Sequence, residues 1–305
     1  MCILEEILCA ARAAGASDVH LTAGSQPRMR VGGVLTVMDF ARLLPADTLD
    51  ILLAILPEGQ RERFEEEGEY DFSFTIPGGG RCRANAYKQK GNVALALRPV
   101  EVKLPSTEEL GLPEEIAQLY CLKEGLVLVT GASGSGRSTT LASIIDRINT
   151  LRNAHIITLE NPVEYLHPHK MSMVNQREIG VDCRDYVSGL RGALREDPDV
   201  ILVGELRDSD TISAAIAAAE TGHLVFAALC APGITDAIRD MAEAFLPHQQ
   251  PWMRTRLANV LEAVVYQQLI PVQEGGRKGA FEVLRMESKA RDILREGRFE
   301  ELNDL

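Results

Sequence analysis

Residues 125–151, GLVLVTGASGSGRSTTLASIIDRINTL, are the stretch on which the fold turns. A short apolar run of buried-strand type, LVLVTG, leads straight into a glycine-rich loop, and a helix-compatible stretch begins at Arg137. The loop GASGSGRST, 131–139, has the spacing G-x-x-x-x-G-K-[ST], with arginine where lysine is expected at 137. Glycines at 131, 134 and 136 let successive backbone N–H groups turn inward around an anion, and the helix N-terminus behind them adds its dipole. The candidate phosphate-binding residues are Gly131, Ser133, Gly134, Ser135, Gly136, Arg137, Ser138 and Thr139, with the Ser138 hydroxyl offered to Mg2+. Arg137 keeps the positive charge, but a planar fork replaces a compact ammonium. Anion binding is expected to survive and the geometry at a γ-phosphate to suffer.

The same grammar continues downstream. Short apolar runs alternate with helical stretches: HIITLE, MSMVNQ, a helix over 184–196, DVILVGE, a helix over 209–220, and HLVFAAL. That alternation predicts a largely parallel sheet with crossover helices. Residues 233–262 read as helical, and VVYQQLIPV with GAFEVL as a late hairpin around EGGRKG. Two of the runs end in carboxylates, Glu160 and Glu164 in HIITLENPVEY and Glu205 in DVILVGELRD. An acid at the end of a strand beside such a loop holds the metal or its water, and a second acid orients the attacking water. Glu205, directly after VILVG, suits the metal; Glu160 alone reads as an ordinary charged strand end.

Upstream, the first hundred residues read as a small α+β unit. Ile3, Leu4, Ile7, Leu8 and Ala11 have helical spacing and meet a glycine stop at Gly15. SDVHLTA and PRMRVGGVLTVM are strand candidates with a turn at Gly32–Gly33, residues 46–66 helical, and YDFSFTI with RCRANAYKQ a hairpin around PGGG, followed by the strand NVALALRPV. The proline-bearing stretch EVKLPSTEELGLPEEI suits a linker. The expected division is a domain over 1–104, a linker over 105–112 and a second domain over 113–305.

The whole chain has 305 residues, which is room for two domains, and 32 basic against 44 acidic residues give a formal charge of −12. So acidic a chain has no general pull toward nucleic acid, and with 5% aromatic residues it offers no base-stacking platform. Cys2, Cys9, Cys82, Cys121, Cys183 and Cys230 form no CxxC pair and match no zinc spacing, which suits free thiols in a reducing compartment. The amino-terminal MCILEEILCAARAAG reads as an amphipathic helix, not a secretion signal, and no apolar stretch approaches the ~20 residues of a membrane span. The expected location is cytoplasmic.

Five ordered segments, GASGSGRST, LENPVEYLH, NQREIGVD, LREDPDVILVGELRD and AAETGHLVF, closely resemble the type II/IV secretion ATPases, particularly the PilT-like pilus-retraction (twitching-motility) motors. The resemblance extends to SDVHLTAG, PRMRVGG and GRCRANAYKQKGNVALALR, which look like that family's PAS-like domain, and to RTRLANVLEAVVYQQLIP and ARDILREGRFEEL near the end. It implies a small N-terminal PAS-like α+β domain followed by a RecA-like P-loop NTPase domain with a C-terminal helical region. It further implies ATP and Mg2+ as cofactors, a homohexameric ring, a membrane platform protein as partner and a place at the inner face of the cytoplasmic membrane. By the same resemblance Glu164 polarises the attacking water, Glu205 is the Walker B glutamate, bound through Mg2+, and His223 is the first histidine of the His box. Arg81, Arg83 and Arg98 lie on the strands that supply arginines to the phosphates.

Three positions depart from the family pattern: Arg137 for the P-loop lysine, Asn161 for the aspartate of E-D-P, and Cys230 for the second His-box histidine. A thiol is only a weak donor and does not replace an imidazole. All three fall on active-site motifs. An ATPase that powers pilus retraction is therefore expected with a divergent, weakened site. The alternative is a catalytically impaired nucleotide-binding paralogue that assembles with, or regulates, an active ATPase. Cys230 itself is expected to be a small filler on a buried strand.

Overall fold

The computed structural model describes residues 3–76, 80–99, 104–272 and 277–305. The chain divides into two compact units, Met1–Val102 and Lys103–Leu305.

In the first unit, helix α1 (Ile3–Ala13) buries Leu4, Ile7, Leu8 and Ala11, one stripe at helical spacing. Gly15, in the left-handed region at φ 67°, ends its run. Strands β1 (Asp18–Thr22), β2 (Arg28–Val31) and β3 (Val34–Val37) follow, so PRMRVGGVLTVM is a hairpin of two strands. The helix expected over 46–66 is two, α2 (Pro45–Ile55) and α3 (Glu58–Glu67). Pro57 divides them: its ring excludes the helical conformation at Leu56, which is extended at φ −85°, ψ 119°. Strands β4 (Glu69–Ile76), β5 (Gly80–Gln89) and β6 (Asn92–Pro99) complete an antiparallel sheet of order β3-β2-β1-β6-β5-β4. The turn expected at PGGG includes residues 77–79, which lie outside the described residues. Cys82, Ala84 and Ala86 point into a core shared with Leu4, Leu8, Ile51 and Phe64. The alternate positions, Arg81, Arg83 and Asn85, therefore share the opposite face.

In the second unit a short helix α4 (Glu114–Ala117) precedes strand β7 (Gly125–Thr130) and helix α5 (Arg137–Leu151). Then come β8 (His155–Glu160), β9 (Met173–Glu178), α6 (Tyr186–Ala193), β10 (Val200–Val203), α7 (Ser209–Glu220) and β11 (Leu224–Leu229). The run ends with α8 (Ile234–Glu243), α9 (Gln250–Val260), β12 (Leu261–Pro271), β13 (Arg277–Arg285) and α10 (Ser288–Glu296). The stretch expected to be helical through 262 already turns to strand at Leu261, because Leu261, Ala263, Val264 and Val265 are needed as sheet core. Residues 273–276 of the late hairpin lie outside the described residues.

The seven-stranded sheet has the order β13-β12-β7-β11-β10-β8-β9, parallel throughout except for β13. Its central strands are buried on both faces, which is why they read as unbroken apolar runs. One face packs Val127, Val129, Leu202 and Phe226 against α5 and Ile116. The other packs Leu128, Leu159, Val203 and Ala227 against residues of α6 through α10. The fold is mixed α/β, an antiparallel N-terminal domain followed by the RecA-like domain that the resemblance implies. The segment expected to be a linker lies on the second unit: Thr107 is buried, and its hydroxyl accepts from Arg147 at 2.7 Å. Among the described residues no helix is long and apolar enough to cross a membrane.

Candidate active site

The glycine-rich loop leaves the carboxyl end of β7 and turns into α5 through Gly136, whose φ of 91° caps the helix. Two of its glycines sit where a side chain has no room. A Cβ on Gly131 (φ 149°) would lie 2.2 Å from the Gln267 carbonyl oxygen and 2.6 Å from Ser135 Oγ; one on Gly136 would lie 2.8 Å from Gln267 Nε2. Strand β12 thus presses on the loop from behind. The Gln267 side chain is buried, and its Oε1 accepts from the Thr140 hydroxyl at 2.7 Å. Ser135 Oγ and Arg137 Nη1 are buried and have no hydrogen-bond partner in the chain. Two unsatisfied donors in a glycine-rich loop at a helix N-terminus suit an anion. Ser138 is exposed in the first turn of α5, whereas Thr139 spends its hydroxyl on Tyr165, at 2.8 Å.

The acids gather at the same edge of the sheet. In parallel strands all carboxyl ends lie together, so Thr130, Leu229, Val203 and Glu160 mark one rim. Strand β11 separates β7 from β10, which puts Glu205 two strand steps from the loop, ~10 Å at the usual spacing. The Arg207 guanidinium pairs with the Glu205 carboxylate. Tyr186 lies beside this pair, and burial pushes its phenol up to about 12, so it is a neutral neighbour at pH 7.

Glu160 is anchored. Thr158 donates to Oε1 at 2.6 Å and Gln176 at 3.2 Å. Burial raises its pKa, opposed by those bonds and by the Glu164 amide. Its bonds organise the turn after β8, in which Glu164 is partly exposed.

That turn is fastened to α5. Asn149, fully buried, donates to the Pro168 carbonyl at 2.7 Å and accepts from the Lys170 amide at 3.2 Å. The His167 ring, 3.8 Å from Asp146 Oδ1, and the Lys170 ammonium, 2.7 Å from Oδ2, hold the Asp146 carboxyl below the usual carboxylate range, against the upward push of burial. A depressed carboxylate pKa stabilises the fold above the unfolded value, ~3.9, and that contribution disappears as pH falls through the folded value. Asp146→Asn should therefore lower the stability at pH 7, by no more than about 1 kcal/mol for so exposed a pair, read from denaturant unfolding. The two proteins should converge in acid; a constant gap down to pH 2 would contradict this linkage.

The sheet places His223 and Cys230 at opposite ends of β11. Within one chain His223 lies away from the loop. It precedes Leu224, which pairs with Gly125 at the amino end of β7, so the whole of β11, ~20 Å, separates His223 from the rim. Its Nδ1 instead lies 3.0 Å from the Ala218 carbonyl and from Thr221 Oγ1, closing the turn after α7. Cys230 stands at the other end of that strand, one residue past Leu229, the partner of Thr130. It is exposed, not a buried filler. In the first unit, Arg83 pairs directly with Arg98 across β5 and β6, with Arg81 two residues along the same face. Arg98 binds Asp18 through Nε at 3.0 Å and Nη2 at 2.8 Å.

The family described as Type II/IV secretion system protein matches residues 90–298. The chain is 40% identical over 293 residues to the Type IV pilus retractation ATPase PilT of Pseudomonas aeruginosa, covering 96% of this chain and 85% of that one. It is also 40% identical over 299 residues to the uncharacterized protein YggR of Escherichia coli, with 98% and 91% covered. A crystal structure of the pilus retraction motor PilT with bound ADP superposes with a TM-score of 0.92 at 45% identity, covering 99% of this chain and 88% of that one. The chain belongs to the type II/IV secretion family.

Within this family member, Gln267 is the site residue that sequence reading missed. It lies 136 residues from Gly131 in sequence (267 − 131), and nothing local in VVYQQLIP says that this side chain meets the loop. Only the pairing of β12 with β7 brings it under the loop. Gln267→Ala should strand the buried Thr140 hydroxyl and cost about 1–3 kcal/mol of stability. Thermal unfolding with and without Mg-ADP checks this: the melting temperature should fall, and the shift produced by nucleotide should shrink with it. An unchanged shift would mean that Gln267 does not support the loop.

Proposed function

We propose that this chain binds Mg-ATP and hydrolyses it as a subunit of a cytoplasmic ring motor that retracts or disassembles a type IV pilus. The observation that carries the reading is the cradle itself: three glycines, two of them with no room for a Cβ, and buried Ser135 Oγ and Arg137 Nη1 with no partner in the chain, at the helix N-terminus of a RecA-like sheet. Identity to a pilus ATPase across nearly the whole chain supports the physiological role.

In this scheme the amides of 131–139, Ser135 and Arg137 bind the phosphates, and the N-terminus of α5 stabilises their charge. Among the described residues no cluster of three His, Cys, Asp or Glu could hold a metal on its own. That fits Mg2+, which binds through one or two protein oxygens, the phosphates and water. Ser138 and Glu205 would hold it, and when bound it supplies neutralisation of charge on the phosphates. Glu164 orients the attacking water. The nucleotide site belongs to the domain over 113–305, and Arg81, Arg83 and Arg98 of the domain over 1–104 are kept in the proposal as phosphate-binding arginines. A homohexamer on an inner-membrane platform protein is the assembly proposed. Titration calorimetry with Mg-ADP tests the first step: saturable binding supports the reading, and no heat from folded protein ends it.

A second reading is favoured by one observation. Arg137 and Cys230 both lie at the phosphate rim, and Asn161 follows the anchored Glu160, so all three departures fall on the site. On that reading the chain binds nucleotide but turns over poorly, and it serves an active paralogous ATPase. Arg137→Lys, Asn161→Asp and Cys230→His together should then raise turnover by about two orders of magnitude or more, in the range that proton-transfer and positioning groups supply. No gain would discard it.

A further inference from the structure

The NQREIG segment has no part in the scheme above, yet two of its side chains hold the loop that carries Glu164. Gln176 and Glu178 stand two residues apart on strand β9 and so share one face. The Gln176 carboxamide accepts from the His167 amide at 2.8 Å and donates to the Tyr165 carbonyl at 2.7 Å. The Glu178 carboxylate, on a residue only 3% exposed, accepts from the Val163 amide at 3.0 Å. The Glu164 amide itself bonds to the Glu160 carboxylate. The main chain is thus pinned at Glu164 and on either side of it. From that frame the Tyr165 side chain reaches the phosphate loop: its hydroxyl lies 2.8 Å from Thr139 Oγ1, in the first turn of α5 and next to Ser138.

We infer that Tyr165 is a positioning residue: through its bond to Thr139 it sets the Glu164 loop against the start of α5 and makes that loop sense whether the phosphate loop is filled. The inference rests on the nucleotide-binding reading and on Glu164 as the acid that orients the attacking water. The bonds from β8 and β9 give the loop its internal shape, but they do not set its separation from the helix that receives the phosphates. The other ties between this loop and α5 lie further down the helix. Asp146 meets His167 and Lys170, and Asn149 holds Pro168 and Lys170. At 1.5 Å per residue those anchors stand ~10 and ~15 Å beyond Thr139, so the phosphate end is left to Tyr165. Displacing a water-orienting carboxylate by about 1 Å costs up to roughly 100-fold in rate while leaving the phosphate contacts in place. Tyr165 acts through its neighbour Glu164 and through Thr139, not on the reacting atoms.

The test compares the full chain with Tyr165→Phe, Thr139→Val and the double variant. Fluorescent-ADP titration, steady-state Mg-ATP hydrolysis and amide hydrogen exchange over residues 163–167 are read on each. Tyr165→Phe should bind ADP within about twofold of the parent and keep its KM, while kcat falls by about 10- to 100-fold. Thr139→Val breaks the bond from its other end, and the double variant should turn over no more slowly than the slower single variant. Mg-ADP should slow exchange of the 163–167 amides in the parent, and Tyr165→Phe should lose that effect. If Tyr165→Phe turns over as fast as the parent, or ADP protects its loop equally, the inference is overturned and the nucleotide reading stands. ADP binding that falls by as large a factor as kcat also overturns it, because Tyr165 would then serve binding. If the parent binds ADP but hydrolyses no faster than Glu205→Gln, the exchange comparison decides alone. If the parent binds no ADP, the nucleotide reading falls and this inference with it.

Discussion

Gly131→Ala is expected to weaken nucleotide binding on the order of 100-fold or more, about 2.7 kcal/mol, and to destabilise the protein by about 1–3 kcal/mol. Two costs combine at this position. Its φ of 149° lies where a side chain is strained, and the added carbon meets the Gln267 carbonyl at 2.2 Å and Ser135 Oγ at 2.6 Å. The first obstacle is main chain of a paired strand and cannot swing aside. The loop must therefore move, and its amides lose their convergence. Gly134→Ala is the control: φ is 77°, but nothing lies within 4 Å of its Cβ position, so strain acts without collision. Gly134→Ala should lose roughly 1 kcal/mol of stability and keep most of its binding. Fluorescent-ADP titrations and thermal melts on both variants decide the matter. Equal binding by Gly131→Ala and the parent would mean that the loop does not grip phosphate through its main chain.

Glu205→Gln is expected to cut Mg-ATP hydrolysis by about 10²–10⁴-fold while nucleotide still binds. The carboxylate sits at the rim, two strands from the loop, where it can reach a metal or its water. The amide keeps the shape and loses the charge. The ion pair with Arg207 complicates a simple deletion, because removing Glu205 also frees a guanidinium beside Tyr186. Arg207→Ala separates the two effects: it removes the clasp and leaves the acid. Phosphate release by the parent, Glu205→Gln and Arg207→Ala should rank the glutamine variant lowest. A parent rate no higher than that of Glu205→Gln would end the motor reading and leave the binding-only alternative.

The sequence alone determined those features whose physics is local. A β-strand, three glycines and a helix start follow one another within fifteen residues, so LVLVTGASGSGRST carries its own structure and its anion preference. Double burial writes itself as unbroken apolar runs, which made the parallel sheet legible. Pro57 could have been read as a helix break by the same local logic, since a ring on one residue restricts its predecessor.

Tertiary structure decided what depends on which strand lies beside which. His223 and Cys230 flank the same six-residue strand, and nothing within HLVFAALC says which end meets phosphate. The parallel pairing of β11 with β7 answers it, because parallel neighbours share a carboxyl rim: the thiol comes to the loop and the imidazole lies a strand length away. Gln267, Asn149 and Tyr165 became visible for the same reason. Each acts through a contact that closes a loop of chain, and the free energy of such a contact resides in packing, not in any residue's own conformational preference.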